Sequence, residues 1–122
     1  MAATITQADT HYTNTVKTLI EYPETGIFSK IFVKDAHTQQ NLFCLTAGTT
    51  LEEHTSPKNA TVMVIEGEGK LTLNGEKITL TQGVVVYMPT HAPHALTATN
   101  NLAFWLILSE SEQSINGGEH KK

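Results

Sequence analysis

Residues 83–98, GVVVYMPTHAPHALTA, decide the fold of this chain. An apolar run ends abruptly at Met88-Pro89, and two histidines, His91 and His94, follow within six positions. A short apolar run that stops at a proline is typical of a buried strand that ends in a turn. Imidazoles at such a point are either metal ligands or polar side chains at a strand end. The stretch therefore predicts a strand, a turn and a second strand, with a candidate site at the turn.

Short apolar or alternating segments separated by turn residues surround this stretch. The dipeptide Asn74-Gly75 lies between KLTL and KITL, and both of its residues tolerate the positive φ of a type I′ hairpin. No segment has the periodicity of an amphipathic helix. We therefore predict an all-β domain of about eight short strands, as a closed barrel or a double-sheet jelly roll, because parallel sheets would need helices between strands.

An upstream block, residues 48–67, combines with residues 83–98 in a recognisable order. Its frame is Gly48, TTLEE, His54, Thr55, Ser56, PKN, Ala60, TVMVIE, Gly67. The later frame is Gly83, VVVYM, Pro89, Thr90, His91, AP, His94, ALT, Ala98. The spacing of the two frames resembles the two motifs of the cupin superfamily, over roughly residues 40–108. This resemblance implies a jelly-roll barrel, also called a double-stranded β-helix, with a pocket at one end and a tendency to dimerise.

The resemblance also implies a position for a metal ion. In metal-binding cupins, two histidines and a glutamate of the first motif join a histidine of the second motif around a divalent ion. Here His54 and His94 stand at two of these positions, whereas Ser56 and Ala60 stand at the other two. Two imidazoles alone rarely hold Zn, Fe, Mn or Ni, because such sites use three or four protein ligands. The metal site is thus expected to be incomplete or substituted.

Two neighbouring side chains are candidates for the missing ligands. On a regular strand, Glu52 shares the face of His54 and Ser56. His91 stands where the cupin pattern has glycine, in the turn before His94. A triad of His54, His91 and His94 with one open position is chemically sound for a transition metal. Each of the two candidates is also explained as a solvated surface residue, so both interpretations stay open.

Strand alternation predicts which side chains line the pocket. Counted forward from His54, it places Val62 and Val64 inside the barrel and Met63 and Ile65 outside. The predicted pocket residues are His54, Ser56, Val62, Val64, His94 and Leu96, with Met88, Phe43 or Trp105 beside them. A mainly apolar wall with a few polar points is typical of a small-molecule site. Aromatic residues at such places are nevertheless core residues more often than ligand contacts.

Charge and composition narrow the class of ligand. The formal net charge is -4 and charged residues make up only 16% of the chain, so the electrostatic attraction that draws basic proteins to nucleic acid is missing. Every basic residue is a lysine, and the chain lacks the guanidinium fork that grips phosphate in two places. We expect a small ligand that is not strongly anionic, and no nucleic acid as partner.

The ends of the chain and the apolar strands complete the predicted organisation. Polar composition predicts flexible segments at residues 1–15 and 110–122, around one barrel domain at residues 16–109. The single cysteine, Cys44, and an N-terminus without signal-peptide features favour a cytoplasmic protein with no membrane association. Segments such as TVMVI and FWLIL are apolar on both faces, which favours a homodimer.

The leading hypothesis from the sequence is a small single-domain cupin that binds an organic molecule in its barrel, with His54 and His94 in the pocket. One alternative is a metal-dependent enzyme of the dioxygenase or isomerase type, with a substitute third ligand such as His91 or Glu52. Another is a dimeric sensor or accessory scaffold. No catalytic residue is assigned, because a fold does not by itself set a function.

Overall fold

Nine β-strands form the framework of residues 4–112, the part of the chain that the computed structural model describes. Their bounds are β1 (Ile27–Lys34), β2 (Thr38–Leu45), β3 (Thr50–His54), β4 (Lys58–Glu66), β5 (Gly69–Leu73), β6 (Glu76–Leu80), β7 (Val85–Met88), β8 (His94–Ala98) and β9 (Leu102–Glu110). A short 3-10 helix, Val16–Leu19, precedes them. The segments predicted to be flexible lie partly outside the described residues, at 1–3 and 113–122.

The strands make two antiparallel sheets. The larger sheet has the order β1-β2-β9-β4-β7, and the smaller has the order β3-β8-β5-β6. The facing sides of the sheets bury one apolar core, to which Leu45, Val62, Leu71 and Phe104 belong. The all-β jelly-roll prediction is confirmed. The two sheets come from interleaved parts of the chain, so residues that are distant in sequence meet inside the barrel.

The hairpin predicted at Asn74-Gly75 is also confirmed. It joins β5 to β6, with Leu73 opposite Glu76 in the ladder. Asn74 has a φ of 52° and Gly75 a φ of 81°, so both central residues are left-handed, as a type I′ turn requires.

The turn after β1 covers only residues 35–37, although the polar run DAHTQQN continues to Asn41. The Asp35 carboxylate accepts the backbone N–H groups of His37 and Thr38, each at 2.9 Å, and these bonds lower the pKa of Asp35. Thr38 already belongs to β2, which pairs along its whole length with β9. Backbone pairing with the long central strand β9 outweighs the weak intrinsic preference of these polar residues for a strand.

Alternation along β4 agrees with the sequence prediction. Val62 and Val64 are each 2% exposed, whereas Met63 between them is 43% exposed. Ile65 also leaves the barrel interior and packs in a second apolar cluster on the outer face of the larger sheet. The inner and outer faces of β4 are therefore those that the sequence predicted.

The second cluster lies where the N-terminal segment covers β2 and β9. Leu42, Cys44 and Ala103 are fully buried there, beneath a cover that includes Leu19 and Tyr22. The Tyr22 hydroxyl donates a 2.7 Å hydrogen bond to Glu66, and burial raises the pKa of the Cys44 thiol. The thiol is thereby kept protonated and out of contact with solvent. In residues 4–112 no helix is long and apolar enough to cross a membrane.

Candidate functional site

A β-bulge in β3 sets the position of the first histidine. Leu51 lies opposite Leu96 of β8, and His54 lies opposite His94. Three steps along β3 thus correspond to two steps along β8, so β3 carries one extra residue between these pairs. The extra residue shifts the alternation of side chains by one position. Leu51 and His54 both line the barrel cavity as a result.

The bulge overturns the parity argument that made Glu52 a candidate ligand. Without it, Glu52 and His54 would share one face of the strand. In the structure Glu52 is exposed and does not line the cavity. Its backbone carbonyl has a role instead, because that oxygen accepts a 3.0 Å hydrogen bond from the ring of His54.

The two motif histidines form a close pair. The ring centroids of His54 and His94 are 4.3 Å apart, with 63° between the ring planes. Nδ1 of His54 lies 3.0 Å from the carbonyl oxygen of Glu52, and Nδ1 of His94 lies 2.8 Å from that of Ala92. A carbonyl oxygen can only accept, so each Nδ1 carries a proton. In each neutral ring the Nε2 lone pair is then the atom that can accept a hydrogen bond or bind an ion.

Beside this pair lies a cavity of about 390 Å³. Most of its wall is apolar and comes from the inner faces of both sheets. The polar side chains in its wall are His54, Thr55, Ser56, Lys58 and His94. They come from the end of β3, the connection to β4, the first residue of β4 and the first residue of β8, so they gather at one end of the barrel. No aspartate or glutamate is among the cavity-lining residues of the described chain.

Most of the residues predicted for the pocket do meet at this cavity. The structure brings His54, Ser56, Val62, His94 and Leu96 to its wall, together with Phe43 and Met88. Val64 lies farther along β4, in the core beyond the cavity. Trp105 points to the outer cluster, where its ring Nε1 donates a 3.1 Å hydrogen bond to Gln40. Alternation gave the correct face for Val64, but it carries no information on how deep a cavity reaches.

The two substituted motif positions take different roles. The Ser56 hydroxyl oxygen accepts the backbone N–H of Lys58 at 3.1 Å, and the Ser56 carbonyl accepts the N–H of His91 at 2.7 Å. Ser56 thereby connects the two motifs. Ala60 is 6% exposed, pairs with Met88 and places a methyl group in the cavity wall. An apolar surface thus replaces the carboxylate of the metal-binding pattern.

His91 lies in the turn and not in the cavity wall. Its φ is 66°, in the left-handed region where glycine is favoured, which explains why the cupin pattern has glycine here. The side chain is exposed. Within residues 4–112, no group of three or more His, Cys, Asp or Glu side chains is arranged to hold a metal ion. The two imidazoles alone do not fit a resident divalent ion.

Several lining residues were absent from the sequence prediction. Leu106 and Leu108 line the cavity from β9, and Leu71 lines it from β5. Alternation from Phe104 would have identified both β9 residues. Lys58 also lines the cavity. Alternation along β4, counted backward from Ala60, would have identified it. The position of Leu71 depends on which strands face each other across the barrel, which local patterns do not show.

Solved structures share this architecture. A conserved protein of unknown function from Streptococcus pyogenes is 22% identical, with a TM-score of 0.78 over 88% of this chain and 95% of that one. A cupin 2 conserved barrel domain protein from Leptotrichia buccalis is 30% identical, with a TM-score of 0.72 over 77% of this chain and 46% of that one. A single-residue mutant of salicylate 1,2-dioxygenase from Pseudoaminobacter salicylatoxidans is 22% identical, with a TM-score of 0.66 over 79% of this chain and 30% of that one.

The sequence itself matches a protein family over the region that builds the barrel. Residues 41–108 match the cupin domain family, and this span includes both motifs and the paired histidines. No curated protein matches the chain. Family match, strand order and structural likeness agree, and the chain belongs to the cupin family.

Proposed function

We propose that this cupin binds a small organic molecule in the cavity, with His54 and His94 as polar anchors. The observation that carries the proposal is the histidine pair, which comes from two separate motifs and lies 4.3 Å apart beside an apolar cavity. A volume of about 390 Å³ falls within the range of roughly 300–1,000 Å³ that is usual for small-molecule pockets. A concave, mainly apolar wall with a few convergent polar groups is the usual form of a ligand site.

The first prediction is that at least one compound in a panel of small metabolites stabilises the protein. At a concentration of a hundred times Kd, a ligand adds about 2.7 kcal/mol to the free energy of unfolding, which corresponds to a rise in Tm of roughly 10 °C for a domain of this size. Differential scanning fluorimetry measures the shift. We expect the double variant His54→Ala, His94→Ala to lose it, because both anchors are then missing.

His91→Asn is the matched control for this experiment. It removes an imidazole close to the site in sequence but outside the cavity wall, and asparagine tolerates the left-handed backbone at this position. The control should keep the full ligand-induced shift. A panel that contains no stabilising compound, or a shift that survives in the double variant, would contradict the proposal.

A metal-dependent dioxygenase or isomerase is the alternative function. One observation favours it: the Nδ1 atoms of His54 and His94 donate to carbonyl oxygens, as metal-bound histidines commonly do. The donor set opposes it, because the described residues supply no third metal-binding side chain at the pair. Elemental analysis of the purified protein decides between the two functions. Near-stoichiometric metal in the wild-type protein, and none in the His54→Ala, His94→Ala variant, would favour the enzyme.

We also propose that a second copy of the chain covers the part of the outer face of the larger sheet near β7, which the N-terminal segment leaves exposed. Val85 and Tyr87 of the edge strand β7 are 59% and 57% exposed. Two further exposed residues lie on the next strands of this sheet: Met63 on β4 is opposite Val85, and Ile107 on β9 is separated from Tyr87 by Thr61. A contiguous apolar patch on a sheet edge is a common protein interface. The patch supports a homodimer.

The second prediction concerns this dimer. Light scattering at micromolar concentration should give twice the mass of the chain, and the double variant Val85→Lys, Tyr87→Lys should give the mass of one chain, because two ammonium groups would be buried in the interface. Thr97→Lys places one such ammonium group on an exposed position of the other sheet and should leave the dimer intact. A monomeric wild-type protein would disprove the proposal.

A further inference from the structure

The polar groups at the cavity define a pattern of hydrogen-bond donors and acceptors. Lys58 is the one cation among the cavity-lining residues of the described chain, and no acidic side chain lines the wall. In the neutral form, the rings of His54 and His94 present Nε2 lone pairs, because each Nδ1–H is engaged by a backbone carbonyl. The site therefore offers a positively charged donor and two neutral acceptors. A ligand that satisfies both carries an anionic acceptor and a hydrogen-bond donor.

We propose that the ligand is a small hydroxy monocarboxylate with a compact apolar body. This inference rests on the proposed function of the cavity and specifies its ligand class. Lys58 holds the carboxylate, and a hydroxyl group of the ligand donates to the histidine pair. The apolar body packs against the side chains that line the interior, among them Leu71, Met88 and Phe104.

Lys58 forms no ion pair with another residue of the 4–112 range. The cationic side chains that do so there are Lys17, Lys30 and His37. The nearest acidic residue in the ladder is Glu110, which lies opposite Lys58 on β9. The Glu110 carboxylate is 3.2 Å from Nδ1 of His37 and forms no ion pair with Lys58 within the described chain. An ammonium group on a half-buried residue beside an apolar cavity attracts an anion more strongly than one in open solvent.

The number of charges distinguishes a carboxylate from a phosphate ester. A phosphate monoester carries close to two negative charges at neutral pH, and its recognition commonly uses arginine forks. This chain contains no arginine, and the cavity wall contributes one ammonium. A single negative charge matches this site, and the apolar surface of Ala60, where a metal-binding cupin has a carboxylate, matches the body of the ligand and not an ion.

The third prediction tests both polar contacts on one molecular body. Mandelate, 3-hydroxyphenylacetate and 4-hydroxyphenylacetate all add one hydroxyl group to phenylacetate, at different distances from the carboxylate. Calorimetric titration at low ionic strength compares each compound with phenylacetate and with its own amide. We expect at least one hydroxy acid to bind roughly tenfold more tightly than both references, because it gains a charge-assisted bond and a hydroxyl bond.

Two variants separate the two contacts. Lys58→Met keeps the apolar stem of the side chain and should reduce the preference for acid over amide to less than twofold. His54→Ala with His94→Ala should remove the preference for the hydroxy acid over phenylacetate and keep the preference for acid over amide. Lys70→Met is the control, because Lys70 is exposed on β5 and does not line the cavity; it should change neither ratio.

The outcomes distinguish this inference from the proposed function. Equal affinities of acids and amides in the wild-type protein, or an acid preference that survives Lys58→Met, would overturn the inference. So would three hydroxy acids that bind no better than phenylacetate. If the metabolite panel still shows a compound that depends on the histidine pair, the proposed function stands and only the ligand class is wrong. If no compound binds, both fail.

Discussion

Replacing Gly67 with alanine is expected to reduce the free energy of unfolding by at least about 3 kcal/mol. Gly67 follows β4 and has a φ of 96°, in a region that an alanine side chain rarely adopts. A Cβ atom at this position would overlap the carbonyl oxygen of Asn101 and lie 2.8 Å from the Cα of Leu102. Both contacts are backbone atoms at the start of β9, which cannot move without disturbing the central strand of the larger sheet. Urea denaturation measures the loss.

Gly83→Ala is the matched control for this substitution. Gly83 has a φ of 89°, but a Cβ atom there would meet no atom within 4 Å. We expect it to lose only about 1 kcal/mol, which is the cost of a left-handed conformation alone. The difference between the two variants isolates the cost of the overlap with residues 101 and 102. Equal losses in the two variants would show that the close approach of the β4 and β9 ends does not constrain the fold.

The second large effect is expected from Leu42→Ala. Leu42 is fully buried in the outer cluster, between the larger sheet and the N-terminal segment. Truncation of such a leucine removes apolar contacts and leaves a cavity, and it costs about 2–5 kcal/mol. Because Leu42 does not line the barrel cavity, the affinity for any cavity ligand should stay within twofold of the wild-type value. Chemical denaturation and calorimetric titration measure the two effects.

Ile27→Ala is the control for the second experiment, since Ile27 is 36% exposed on the edge strand β1 and should lose no more than about 0.5 kcal/mol. A loss for Leu42→Ala as small as that of the control would mean that the N-terminal segment does not contribute to the folding unit. A large loss of ligand affinity would instead connect the outer cluster to the cavity, in contradiction to the separation of the two clusters seen in the structure.

Much of the fold could be predicted because strand alternation and turn chemistry are local. The pair Asn74-Gly75 forms a hairpin wherever two strands flank it, since the positive φ values are properties of those two residues. The buried faces of Val62 and Val64 follow from a period of two along a regular strand. The start of β2 at Thr38 could not be predicted in this way, because the polar residues of this strand are held by their ladder with β9.

The candidate site was also predictable only in part. The sequence alone determined that His54 and His94 belong to two motifs of one barrel, that Ser56 and Ala60 replace two metal ligands, and that the chain has the pattern of a cupin. Tertiary structure decided which side chains near His54 enter the cavity. The β3 bulge places the exposed His54 opposite His94 at the rim of the cavity and leaves Glu52 outside the cavity wall.

The orientation of the β3 side chains could not be predicted from the sequence for a physical reason. A bulge is set by hydrogen bonding between β3 and β8, which are about 40 residues apart along the chain, and a single extra residue reverses every side chain beyond it. The residue types of β3 do not reveal where the extra residue falls. Only the pairing of the two strands shows that an imidazole, and not a carboxylate, meets His94 at the cavity.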